Sequence, residues 1–117
     1  MMLSYQNTHE VLQAATNGEN YIDLIAQINK DLKLSNLDCE FEDSISPAAL
    51  KNDLCELVFH CINQKFADYL NLLYIVDVSE DQIKALDGSD LVALTENVVF
   101  LILKREYEKI WYKKRNT

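Results

Sequence analysis

Asp53, Glu56 and His60 stand at i, i+3 and i+7, which puts two carboxylates and an imidazole on one helical face. Carboxylate and His are metal-ligand types, and helical di-iron bundles set a Glu and a His three residues apart, facing inward. Here the Glu56-to-His60 step is four, no second helix offers a matching cluster, and the face lies opposite the apolar stripe. The spacing therefore reads as a solvated polar face. A metal-binding or enzymatic protein built on Asp53, Glu56 and His60 ranks last among the functional readings.

Nucleophilic chemistry has equally few parts. The chain has two histidines, His9 and His60, and three cysteines, Cys39, Cys55 and Cys61. Cys61 follows His60 directly, but neighbouring helix positions point about 100° apart, so the two make no catalytic pair. Cys55 and Cys61 read as small core residues. Cys39 lies among acids, which raise a thiol pKa and make a poor nucleophile. Two isolated glycines, Gly18 and Gly88, cannot build a phosphate loop. No catalytic residue and no cofactor are expected, and the chain reads as a non-enzyme.

Two further segments have a composition that points to partners. Asp38-Cys39-Glu40-Phe41-Glu42-Asp43 concentrates acids around one aromatic; it reads first as a solvated connector whose Phe41 folds back onto the core, with Phe41 kept as a candidate anchor for a basic partner. It lacks the ligand alternation and the glycine of a calcium loop. The C-terminal stretch from Lys104 to Arg115 interleaves bases with Tyr107, Trp111 and Tyr112. That mixture occurs in single-strand nucleic-acid platforms and membrane-surface helices. Cations near a helix C-terminus also offset its partial negative charge, and Tyr107, Ile110 and Trp111 continue an apolar stripe. The structural account is preferred, with Tyr107, Trp111, Tyr112, Lys113 and Arg115 kept as candidate protein contacts.

Charge bears on the choice. Residues 1–103 carry 5 basic and 17 acidic side chains, net −12; residues 104–117 carry 6 and 2, net +4. The total of −8 should repel nucleic acid and anionic membrane, so neither is expected as a partner. An odd cysteine count without paired spacing argues against a disulfide framework and for a reducing cytoplasm. No signal-peptide pattern or membrane-spanning run is apparent.

The elements that must carry these residues follow from caps and periodicity. With 117 residues, two glycines and one proline, an all-α single domain over 1–117 is expected. Residues 1–7 read as frayed. Thr8 caps a short helix ending at Asn17-Gly18, and Asn20 caps a second, to about Leu34, with Tyr21, Ile25, Ile28 and Leu32 as its stripe. Residues 35–46 form an acidic connector. Ser46 and Pro47 open a long helix to about Tyr74, with Ile45 and Leu50 as a staple and a broad apolar side that includes Phe66 and Leu70. Ser79 and Gln82 form a capping box for a short helix stopping at Asp87-Gly88. Ser89 or Asp90 caps the last helix, to about Lys114, whose centre Val98–Leu103 is apolar all round and should be buried. The sum is an up-and-down bundle of about four to five helices, dominated by 47–74 and 90–114.

Two stretches, YLNLLYIVDVSEDQIKALDGSD (69–90) and ENVVFLILKREYEKIWYKK (96–114), resemble a family of small conserved bacterial proteins of unknown function, of the Bacteroidetes type. The resemblance implies a cytoplasmic bacterial setting and the helix–turn–short helix–helix order, and it brings no residue role. The functional expectation is a non-catalytic helical interaction or adaptor protein, with an acidic immunity- or antitoxin-like neutraliser of a basic partner as the alternative. Self-association as a homodimer through the two long helices is also expected, because their apolar surface exceeds what the shorter helices are expected to cover. The competing outcome is a closed monomer, with Leu12, Leu37 and Phe41 folded over the surplus.

Overall fold

The structure, a computed structural model, describes residues 4–115. Among these it contains six helices and no strand: α1 (Thr8–Asn17), α2 (Tyr21–Leu34), α3 (Pro47–Gln64), α4 (Phe66–Val76), α5 (Glu80–Lys84) and α6 (Leu91–Arg115). The all-α bundle expected from composition is the fold, with α6 at its centre and α1, α2, α3 and α4 packed against it.

Why α6 is central follows from its sequence. Val98, Val99, Leu101, Ile102 and Leu103 are all buried, so the run that is apolar on every side meets neighbours on almost every side. Asp90 starts the helix, its Oδ1 accepting from the N–H groups of Val92 (3.0 Å) and Ala93 (3.2 Å). Lys113, Lys114 and Arg115 occupy its last turn. Helix α2 runs antiparallel to it, as the pairs Asp23–Lys114 and Asp31–Lys109 show. Helix α3 does too: Lys51 lies near Glu96 and Asn97, whereas Phe59 lies near Val92 and Thr95.

The caps depart from expectation in instructive ways. Asn7, rather than Thr8, caps α1 by accepting from Glu10 N–H at 2.9 Å. Asn20 precedes α2 without a side-chain cap bond, because its Oδ1 instead accepts from Lys114 Nζ at 2.5 Å. Ser46 caps α3 through Ala49 N–H (3.2 Å), with Pro47 in the first turn. Ser79 accepts from Gln82 N–H (3.4 Å), but α5 ends at Lys84, short of Asp87-Gly88. Residues 4–7 are held in place: Tyr5 packs edge-on against Tyr107, ring centroids 5.9 Å apart. The expected fraying of 1–3 lies outside the described residues.

The single long helix expected over 47–74 is two helices. Lys65 leaves helical geometry at φ −142°, ψ 59°. Its N–H still donates to Cys61 O (2.9 Å), and its carbonyl accepts from Tyr69 N–H (3.0 Å), so the bend costs little hydrogen bonding. Neither Gly nor Pro marks it. The bend turns α4 so that Tyr69, Leu72, Leu73 and Val76 pack inward, while Phe66 and Leu70, expected on the buried side, face solvent.

The connector 35–46 is not loose. Asn29 on α2 clamps it at two points, with Phe41 N–H donating to Asn29 Oδ1 (2.8 Å) and Asn29 Nδ2 donating to Phe41 O (2.9 Å). Tyr21 adds a third tie, its hydroxyl donating to Ile45 O at 2.6 Å. Leu37 and Phe41 are buried with Leu12. These residues join the common core, and Val98, Val99, Leu101, Ile102 and Leu103 are covered within the chain, so that run offers no exposed apolar surplus.

Candidate functional site

Exposed apolar side chains identify the surface most unlike an ordinary solvated face. On α4, Phe66, Leu70 and Tyr74 recur at i, i+4 and i+8, and they are 55%, 50% and 81% exposed. Residues four apart on a helix lie one above the other, so the three form one stripe. Ala67 and Asn71 are the other exposed residues between Phe66 and Val76. The whole outward face of α4 therefore carries no charge, in a chain of which 26% is charged. The helix holds this geometry because Asp77 ends it in the left-handed conformation (φ 71°) and Arg105 of α6 binds Asp77 through both its carbonyl (3.1 Å) and its carboxylate (3.0 Å).

A second surface lies on the connector. Asp38, Glu40, Glu42 and Asp43 are all exposed, on a backbone that Asn29 and Tyr21 fix. Phe41 is buried in the core, as the connector reading has it, and so is no anchor for a partner. Cys39 beside them is half-buried, and burial, followed by the charges of Asp53 and Asp38, pushes its thiol pKa up. Cys55 and Cys61 are likewise raised by burial first, so no thiol is activated.

The C-terminal candidates separate. Tyr107 is buried in the core and offers no surface. Trp111 is half-covered, its ring face taken by the Arg115 guanidinium at 4.1 Å, and it packs at right angles to Tyr112 with ring centroids 5.0 Å apart. Lys114 pairs with Asp23 (2.5 Å) as well as Asn20. Tyr112, Lys113 and Arg115 are exposed. This end of α6 is bound to α2 rather than projecting from the bundle. A shallow groove of about 330 Å³ runs between the two helices, lined by Lys30, Lys113 and Lys114, with Asp23 balancing one charge.

Asp53, Glu56 and His60 are exposed on α3. Among the described residues, no three His, Cys, Asp or Glu side chains converge to hold a metal ion.

The least expected arrangement is inside. Glu106 on α6 is buried, with Asp31 of α2 opposite and Lys109 one turn on. Lys109 Nζ lies 2.5 Å from Asp31 Oδ2 and 2.9 Å from Glu106 Oε1, although no N–H is aligned on the latter oxygen. Gln27 Nε2 donates to the other Asp31 oxygen at 3.2 Å. Burial, then the hydrogen bond and charge of Asp31, push the Glu106 carboxyl up to about 9 against the pull of Lys109. Glu106 is thus held protonated at neutral pH, beside the Lys109–Asp31 contact. The cluster joins α2 to α6 away from any deep cavity, which suits a structural tie. Sequence reasoning passed over it, although Glu106 lies one turn beyond Ile102 and Leu103 on the stripe and could have been flagged.

No family model matches the chain, and searches of curated proteins and of solved structures returned no match. No helix among the described residues is long and apolar enough to cross a membrane.

Proposed function

We propose that the protein is a non-catalytic helical interaction protein that docks a partner on the outer face of α4. The observation that carries this reading is the uncharged stripe Phe66–Leu70–Tyr74, held outward by the bend at Lys65 and the Asp77–Arg105 tie. Large apolar side chains grouped on one exposed face are characteristic of protein contacts, and aromatics dominate their energetics. A photo-crosslinking residue at position 74, in the cell that makes the protein, tests it. Adducts at 74 but not at a control site such as Lys33 support the reading, and equal labelling at both refutes it.

A second reading has its own support. Four exposed acids on a fixed loop form a rigid negative edge, which suits a basic partner and a neutralising, immunity-like role in a cytoplasmic bacterial setting. Charge-driven binding of that kind weakens steeply with salt. Replacing Asp38, Glu40, Glu42 and Asp43 together with Asn and Gln would abolish it and leave contacts through α4 intact.

A further inference from the structure

Resting on the α4 reading, we infer that the occupant of this face is a second copy of the same chain, paired through antiparallel α4 helices about a two-fold axis at Leu70. The spacing is self-complementary. Phe66 and Tyr74 lie four residues to either side of Leu70, about 6 Å each way at 1.5 Å per residue. A two-fold axis through Leu70 therefore sets Phe66 against Tyr74 of the partner subunit, and Tyr74 against Phe66 of the partner subunit. Leu70 meets its own counterpart between the two aromatic pairs. Isologous contacts need such a patch, one that fits itself when reversed.

Charge permits the pairing. A face chosen for a basic or acidic partner would carry the opposite sign, and this one carries none between Phe66 and Val76 except half-buried Asp68. Two copies can meet here without bringing like charges into direct contact. Their net charges of −8 still repel at longer range.

Size sets the strength. An aromatic side chain buries roughly 150–250 Å² at most. At the exposures observed, the stripe and its flanks offer on the order of 500 Å² per copy, against ~800 Å² per partner in a standard interface. An interface of this size lies at the low end, so the dimer is weak and depends on concentration, on the order of tens of micromolar for the purpose of the test. Salt must strengthen it, by screening the −8 on each copy, which is opposite to what salt does to a complex with a basic partner.

Sedimentation of the full chain across concentration and salt is the test. The expected result is a 13.5 kDa species at low concentration that shifts toward twice that mass at tens of micromolar, more readily as salt rises to the physiological range. Leu70→Asp and, separately, Tyr74→Lys keep the wild-type helical circular dichroism and stay monomeric. Leu34→Asp, at an exposed leucine on α2, dimerises like wild type. A 13.5 kDa species under all conditions overturns the second copy, as does a dimer indifferent to both α4 substitutions. A monomer that still gives adducts specific to position 74 sinks this inference alone, while a monomer with no such adducts sinks the α4 reading with it.

Discussion

The Lys109 ammonium meets the Asp31 carboxylate at 2.5 Å across 78 positions of sequence, deep in the seam between α6 and α2. Glu106 shares that ammonium yet holds its own proton, so the seam avoids placing two carboxylates against one cation in a low dielectric.

That proton makes stability depend on pH. The unfolded chain releases it near 4.5 and the folded chain near 9. The Glu106 contribution is fully present below pH 4.5 and is lost as pH rises toward 9, at about 1.4 kcal/mol per pH unit. Glu106→Gln mimics the protonated acid without that dependence. It is expected to stabilise the fold at pH 7 by about 1–3 kcal/mol, with the gap over wild type widening up to pH 9. Urea unfolding at several pH values checks this; parallel curves for the two proteins would refute it.

Asn29→Ala should cost about 2 kcal/mol, because it leaves both polar groups of the Phe41 backbone unpaired above a buried ring. Amide exchange at Phe41 should accelerate while that in α6 is unchanged. Unaltered exchange at Phe41 would mean that the clamp does not hold the loop.

Glu19 sits in the left-handed region at φ 59°, beside Gly18, which does not. Placing a second glycine at that position, by Glu19→Gly, should stabilise the α1–α2 turn by about 1 kcal/mol. Thermal unfolding gives the sign, and a fall in Tm would contradict it.

Nucleic acid should bind negligibly at physiological salt. The +4 of residues 104–117 is partly spent on Asp23, Asp31 and Asp77, and the remainder faces −12 elsewhere. Sub-micromolar binding by fluorescence anisotropy, lost in a Lys113→Ala/Arg115→Ala variant, would disprove this.

How much of this was legible depended on whether the signal was local. Ser46-Pro47 and Ser79 gave their helix starts through bonds spanning three residues, and the Val98–Leu103 run gave its own burial. Phe41 was left between a core position and an exposed anchor, and Phe66 was misplaced. The side each presents is decided elsewhere: by Asn29, twelve positions away, and by a bend at Lys65 that no Gly or Pro announces. Leu70 and Tyr74 came into view as a surface only once that bend had turned α4, and Glu106 only once Asp31 stood opposite.

The Asn29 clamp grips the loop by its backbone, at the N–H and carbonyl of Phe41, and asks nothing of the acids on either side. Where the loop lies is thereby uncoupled from what it displays. Residues 38, 40, 42 and 43 can exchange sign or size without touching the clamp, and the edge they decorate stays in place. Lineages that share this scaffold could change the charge they present to a partner without refolding anything, and should diverge fastest at those four positions and slowest at Asn29.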